Sequence, residues 1–266
     1  MKIIALEQNT PAWHEYRNTR IGASDFALFA CHKGLSKPIF RIDFYGSIYN
    51  KRNNIELKSN IFMERGHVRE PILRDYYTSK YNVICEPIVC EFEDDGQIFA
   101  SLDGYNPFDN AGLEIKTTSA KCIKSNNDND IPIWYITLEE KMQYYIYQLV
   151  HQMYAGDLNY IDVVFEFKDD EIVEKRYYKE DLPISIHEWR ELCFEYLLEL
   201  NGDKDNYDTI LLLNQYYNLD REIKELEDNK QNMFNNIKSL NIEGVHGDFI
   251  VKLTKNNSLR ITKKEE

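Results

Sequence analysis

The chain of 266 residues is poor in cysteine, in positive charge and in long apolar runs, and each shortage removes a class of function. Its five cysteines, Cys31, Cys85, Cys90, Cys122 and Cys193, are scattered and form no C-x-x-C pair. Neither a disulfide framework nor a zinc or iron–sulfur site is expected from that spacing, and small buried thiols in a reducing compartment are. No apolar run approaches the roughly 20 residues of a membrane helix. The opening Met-Lys-Ile-Ile-Ala-Leu-Glu-Gln turns polar too early for a secretory signal. The expectation is a cytoplasmic protein with no membrane partner. Lys and Arg number 32 against 45 Asp and Glu, a net charge of −13. That balance excludes a protein that coats nucleic acid through its overall field. It leaves room for a local basic lining, for which Lys33 and Lys37, Lys116, Lys121 and Lys124, and Lys252, Lys255, Arg260, Lys263 and Lys264 are candidates.

What is present suits a globular chain with a full core: 43% of the residues are hydrophobic, and the length fits one large domain with an appendage. Residues 10–30 read as a helix, a Gly-Ala-Ser turn and a second helix. A third helix is expected from Pro38 to Tyr49, with Pro38 in its first turn, and a fourth over 62–79 with Phe62, Val68, Ile72, Leu73 and Tyr76 on one side. Three strands follow, Val83 to Phe92, Ile98 to Tyr105 and Gly112 to Thr118, joined by Asp94-Asp95-Gly96 and Asn106-Pro107 turns into an antiparallel meander. Ser125 to Asp130 reads as a loop. Beyond it come a helix from Leu138 to Ala155, strands Val163 to Phe167 and Ile172 to Tyr178, and a helix from Ile184 to Leu200. These make a first domain over 1–203.

Residues 204–266 differ in pattern. Leu212, Tyr216, Leu219, Ile223, Leu226, Lys230, Met233, Ile237 and Leu240 alternate steps of four and three, as heptad a and d positions do. Such a helix pairs with Ile184 to Leu200, makes a contact between subunits, or lies on the protein's own core. A closing hairpin, Asp248 to Thr254 and Ser258 to Ile261, is expected after it, turned at Asn256-Asn257.

Chemistry concentrates in one constellation. Asp103 is followed after ten intervening positions by Glu114-Ile115-Lys116 on an apolar segment. In a strand, side chains alternate faces, so Glu114 and Lys116 share one while Ile115 points into the core. Asp103 on the neighbouring strand reaches the same spot, and the two carboxylates, with the Ile115 carbonyl as a third donor, suit a hard divalent cation. Lys116 stands ready to orient water and offset developing negative charge. Glu70, on the preceding helix, completes the set directly or through water. A second element is Trp13-x-x-x-Arg17-x-x-x-Ile21-Gly-Ala-Ser24-Asp25. An Arg fork, a hydroxyl and the amides of a helix start make a phosphate receptor. Ser24 is on spacing alone better read as an N-cap, and Arg20 rivals Arg17.

At these residues the chain resembles the lambda-exonuclease-like, YqaJ-type viral recombinase branch of the PD-(D/E)XK nucleases. The blocks run in order, Trp13 to Asp25, Gly66 to Glu70, Ala100 to Tyr105, Leu113 to Thr118 and Gln148 to Tyr154, and cover about residues 10–180. The resemblance implies a restriction-endonuclease-like PD-(D/E)XK core of mixed α/β class, with a central mixed sheet flanked by helices. It implies a Mg2+-dependent deoxyribonuclease, with Mn2+ substituting, and a 5′→3′ exonuclease on double-stranded DNA ends in recombination. An endonuclease of the same fold and a DNA-end-binding protein with lost turnover are the alternatives. It further implies that Asp103, Glu114 and Lys116 bind metal and position water, that Glu70 and Gln148 assist, and that Arg17 and Ser24 engage a DNA phosphate. A homo-oligomer, a single-strand annealing protein as partner, and a bacterial host cytoplasm for a phage-encoded chain are implied as well. One block departs: Val150 stands where a second glutamine is expected, with Gln148 or His151 as substitutes, or with that contribution missing.

Overall fold

A computed structural model of the chain describes residues 1–37, 43–55, 61–122, 135–168, 170–202, 204–240, 244–246, 249–253 and 259–263. A three-residue edge strand, β1 (Lys2–Ile4), opens it, followed by helices α1 (Pro11–Asn18), α2 (Ala23–His32), α3 (Phe44–Arg52) and α4 (Ile61–Tyr81). The Thr10 hydroxyl caps α1 by accepting the Trp13 amide, and Pro11 sits in the first turn, where its missing N–H leaves no bond unmade. Strands β2 (Glu86–Phe92), β3 (Asp95–Asn106) and β4 (Ala111–Thr117) form the expected antiparallel meander. After two short segments paired in parallel, β5 (Lys121–Cys122) and β6 (Tyr135–Ile136), helix α5 (Leu138–Ala155) crosses over and returns the chain as β7 (Tyr160–Glu166), parallel to β4. β8 (Ile172–Tyr178) turns back antiparallel, and α6 (Ile186–Asn201) follows behind a Ser185–Glu188 capping box.

The main sheet thus has six strands in the order β1-β2-β3-β4-β7-β8, and β4·β7 is its one parallel pair. β4 and β7 lie inside the sheet and are buried over most of their length, with the charged Glu114, Lys116, Asp162 and Glu166 interrupting otherwise apolar strands. On one face, Leu113, Ile115 and Val164 pack against Leu73 and Tyr77 of α4. On the other, Ile161, Val163 and Phe165 pack against Leu138, Met142, Leu149 and Met153 of α5. A further cluster joins Phe26 and Phe29 of α2 to Val150 and Tyr154 of α5 and Trp189 and Tyr196 of α6. Glu114 and Lys116 alternate with Leu113 and Ile115, so they belong to the α5 face.

Two expectations change. On α4, Phe62, Val68 and Ile72 are exposed and only Leu73 and Tyr77 are buried. The reason is that the helix turns a charged row, Arg65, Arg69, Glu70 and Arg74, toward the sheet edge instead. β1 was too short for any period to reveal, and it pairs Lys2, Ile3 and Ile4 with Glu91, Cys90 and Val89. The start of the third helix at Pro38, the loop Ser125 to Asp130 and the turn at Asn256-Asn257 lie outside the described residues.

The chain divides into two compact units, Met1–Tyr207 and Asp208–Glu266. The heptad segment is helix α7 (Lys204–Ser239), and it precedes an antiparallel three-stranded sheet ordered β11-β10-β9, made of β9 (Gly244–His246), β10 (Phe249–Leu253) and β11 (Leu259–Lys263). β9 adds a strand to the expected hairpin. Within this second unit the heptad residues Tyr216, Leu219, Ile223, Leu226, Met233 and Leu240 are not covered by its three-stranded sheet. Among the described residues no helix is long and apolar enough to cross a membrane.

Candidate active site

The site begins where a hydrogen-bond ladder stops. β3 and β4 are paired at Gly104–Leu113, Tyr105–Gly112 and Asn106–Ala111, and the pairing ends there. β4 runs on against β7 as far as Thr117, so β3 and β4 diverge at Asp103 and Glu114. The amide of Ile115, which has no β3 carbonyl to meet, donates instead to Asp103 Oδ2 at 2.7 Å. A carboxylate therefore takes the place of a ladder rung, and the fork between the strands opens a cavity of about 190 Å³.

Arg17, Ser24, Glu70, Asp103, Glu114, Lys116 and Gln148 all line this cavity. Ile115 does not; its side chain lies in the core with Leu73, Leu113 and Val164, leaving only its backbone to serve the site. Glu114 is 2% exposed and is held on three sides: by the Lys116 ammonium, by Gln148 Nε2 at 2.7 Å, and by Gln152 Nε2 at 2.5 Å. Gln152 Nε2 also donates to the Ser101 carbonyl at 3.1 Å, while its own Oε1 has no partner among the described residues. Glu70 comes from α4, where Arg74 bonds its carboxylate and donates to the Asp103 carbonyl at 2.5 Å. Arg65 and Arg69 pin the same helix to Glu166, a buried carboxylate at the end of β7.

The electrostatics follow from crowding. Burial pushes the Asp103 carboxyl well above the usual carboxylate range, and the charges of Glu114 and Glu70 push it further, against the pull of Lys116 and the Ile115 amide. Burial works against the Lys116 cation, but Glu114 and Asp103 outweigh it and raise its pKa above the ordinary lysine value. Among the described residues no group of three or more His, Cys, Asp or Glu side chains is gathered to hold a metal ion. Asp103 is turned to the Ile115 amide, and Glu114 to its amide and ammonium donors. The donor chemistry nevertheless fits a hard cation: two carboxylates from adjacent strands repel each other across the fork, and a divalent ion between them relieves that repulsion.

The Trp13 to Asp25 block arrives from the other side. Ile21 makes an isolated bridge to Ile98, with Ile21 N donating to the Gln97 carbonyl at 2.9 Å and Phe99 N to the Ile21 carbonyl at 3.1 Å. This ties the turn between α1 and α2 to β3, the strand of Asp103. Gly22, Ala23 and Ser24 at the start of α2 line the cavity. A Cβ at Gly22 would meet the Phe99 ring at 2.9 Å, so any side chain there would force that ring to shift. The N-cap of α2 is Gly22, whose amide donates to Asp25 Oδ2 at 3.0 Å, so Ser24 is not the cap but an exposed residue of the first turn. Arg17 has its guanidinium 4.6 Å from the Trp13 ring and 3.9 Å from Asp25. Asp25 is buried, yet Lys51, Arg17 and the Gly22 amide outweigh burial and hold its carboxyl below the usual range. Arg20 stacks on Tyr16 and donates to the Gly96 and Tyr16 carbonyls, away from the cavity, which removes it as a rival to Arg17.

The concern over Val150 has a geometric answer. Val150 is fully buried among core residues, while Gln148 and Gln152, one helical turn apart, both reach Glu114. Residues two apart on a helix face different ways and residues four apart share a face, a signal the sequence carried. His151 is no substitute: it is buried, with Nε2 against the Phe99 carbonyl and Nδ1 accepting from Trp189, and burial lowers its pKa to about 4. Gln152, Arg74 and His67, the last lining the cavity one turn from Glu70, were missed by the sequence reading. Lys33 is engaged by Glu195 at 2.8 Å and is no part of the site; Lys124, Lys255 and Lys264 lie outside the described residues.

A family model described as a YqaJ-like viral recombinase domain matches residues 12–159, more than half of the chain. No curated protein sequence matches. Among solved structures, the crystal structure of LHK-Exo in complex with dAMP shares 21% identity at a TM-score of 0.52, over 82% of this chain and all of that one. A second structure, of the alkaline exonuclease LHK-Exo from Laribacter hongkongensis, gives 21% and 0.51 over the same shares. A phage related exonuclease from Haemophilus somnus 129PT gives 11% identity and 0.43 over 72% of this chain and 95% of its own. The likeness to LHK-Exo shows the fold: a six-stranded mixed sheet flanked by helices.

Proposed function

From the premise that this chain belongs to the YqaJ-like viral recombinase domain family, a family of nucleases acting in recombination, we propose that it is a Mg2+-dependent exodeoxyribonuclease degrading double-stranded DNA ends in the 5′→3′ direction. The observation that carries the reading is the single cavity lined by both the carboxylate–lysine set and the Arg17–Ser24 turn. Hydrolysis and recognition of a terminal phosphate become one act there.

In this reading Asp103, Glu114, the Ile115 carbonyl and, directly or through water, Glu70 hold the metal, with Mn2+ able to replace Mg2+. The ions of such a site make water a nucleophile at neutral pH and steady the leaving 3′ oxygen. Lys116 orients the attacking water and offsets charge on the phosphorane-like transition state, a task suited to a lysine kept cationic by two carboxylates. Gln148 and Gln152 fix the Glu114 carboxylate, and Arg74 fixes Glu70 relative to the β3 backbone. Arg17 and the first amides of α2 receive a DNA phosphate, with Ser24 as an added donor. The product, a duplex with a 3′ single-stranded tail, is what a single-strand annealing protein takes up. A homo-oligomer around the duplex supplies processivity, and the cytoplasm of a bacterial host is the setting.

The test is purified full-length protein with Mg2+ on a linear duplex labelled at either end, beside a covalently closed circle. Release of nucleotides from 5′ ends and an intact circle are expected. A cut circle replaces this reading with the endonuclease; metal-dependent binding of a 5′-phosphorylated end without release replaces it with the end-binding protein. Gln152→Leu is expected to lower kcat about tenfold, since Glu114 loses one of its two amide donors while the DNA contacts stay. Val150→Gln should not raise it. A Gln152→Leu enzyme of parental kcat would remove the positioning role.

A further inference from the structure

We propose that Tyr145 is a positioning residue of the candidate site, a neutral aromatic seat that holds the Lys116 ammonium at the end of its flexible side chain. Its kinetic consequence rests on the nuclease reading; the contact itself does not. Lys116 Nζ lies 5.0 Å from the centroid of the Tyr145 ring, inside the roughly 6 Å at which the negative face of an aromatic ring attracts a cation. The Lys116 side chain is only 20% exposed, so water screens this attraction less than it would at the surface. The ring is itself held in place, edge-on to Tyr144 at 5.4 Å and tilted against Phe165 of β7 at 6.3 Å.

Helix α5 supplies a second reason. Tyr145, Gln148 and Gln152 are spaced by three and four, so they share one face of the helix. Gln148 donates to Glu114 Oε1 at 2.7 Å and Gln152 to Glu114 Oε2 at 2.5 Å. Tyr145 meets Lys116, two residues further along β4. One helix face thus serves both charged members of the Glu114-Ile115-Lys116 segment, with amides for the anion and a ring for the cation. The choice of a ring has a chemical reason. Lys116 also pairs with Glu114, the carboxylate that the nuclease reading gives to the metal. An ammonium tied to that carboxylate alone would follow it whenever it turned. A ring face attracts the ammonium and carries no lone pair for a hard cation, so it steadies Lys116 without competing for the ion. Lys116 lines the cavity and Tyr145 is not in its lining, which makes the ring's action one exerted through the lysine.

The test uses full-length protein and two readouts. On a linear duplex, Tyr145→Phe is expected to keep kcat within about twofold of the parent, and Tyr145→Leu to lose about tenfold in kcat with KM little changed. A phenylalanine at this position carrying one, two or three ring fluorines keeps its shape while its face loses negative potential, so kcat should fall with each fluorine added. A ring that merely filled space would give a flat series. The second readout needs no turnover: the Lys116 ε-methylene signal in protein labelled with 13C at lysine Cε, assigned by its loss in Lys116→Arg. Lying over a ring face, that methylene is shifted upfield by the ring current, and Tyr145→Leu should move it downfield, toward the exposed lysines. A parent that releases no nucleotides would remove the nuclease reading and leave the methylene signal to decide the contact. A flat fluorine series in an active parent, or a Lys116 signal at the same position in parent and Tyr145→Leu proteins, would overturn the proposal.

Discussion

Asp103→Asn is expected to slow hydrolysis of a linear duplex by at least about a thousandfold, the scale on which a metal site loses its transition-state stabilisation, without loss of fold. Asparagine keeps an oxygen to accept the Ile115 amide, the bond now made at 2.7 Å, so the forked strands stay linked. What it removes is charge. The Asp103 carboxyl is pushed up by burial and by Glu114 and Glu70, so in the absence of divalent ions its neutralisation relieves repulsion and the melting temperature should not fall. Lys116→Ala acts from the other direction, leaving the buried Glu114 with only its amide donors, and should cost both rate and stability. Rate measurements beside melting curves in EDTA separate the two. An Asp103→Asn protein retaining more than about a tenth of parental activity would sink the assignment of Asp103 as a metal ligand.

Lys51→Met is expected to destabilise the chain by about 3–5 kcal/mol, the cost of stranding a buried charge. Lys51 is as buried as its partner: its Nζ donates to Asp25 Oδ2 at 2.7 Å and to the Arg20 carbonyl at 2.6 Å. With lysine gone, Asp25 keeps only the Gly22 amide and an Arg17 guanidinium 3.9 Å away. Arg17 would then be drawn inward, off the cavity, so end recognition should weaken along with the fold. Urea midpoints give the stability change, and a double variant that also carries Asp25→Asn should recover part of it by removing the orphaned charge. A single variant within about 1 kcal/mol of the parent would show that the pair contributes little.

How much of this was legible in the sequence depended on the range of the interaction. α5 runs from Leu138 to Ala155 and β8 from Ile172 to Tyr178, as their periodicity required. Each has a face fixed by local alternation, so local reading suffices. Part of the cavity lining was legible because strand alternation and turn chemistry place residues in pairs: Glu114 with Lys116, Gly22 with Ser24. Arg74 was not legible, since nothing local distinguishes it from the other arginines of α4; its role comes from meeting a β3 carbonyl. The buried face of α4 failed for the same reason, as its charged row is held inward by the Glu166 carboxylate and the Asp103 carbonyl of distant strands. Val150 shows the opposite fault. A family pattern was followed by position where the helical repeat pointed to Gln152.

The fork between β3 and β4 is completed by groups that arrive late. Glu114 waits for amide donors 34 and 38 residues downstream, and the α2 turn waits for β3 to bridge Ile21 to Ile98. A nascent chain still on the ribosome holds Asp103, Glu114 and Lys116 well before α5 exists to set them in place. In the proposed nuclease, the order of synthesis leaves the candidate site unassembled until α5, more than half-way along the chain, has been made and folded.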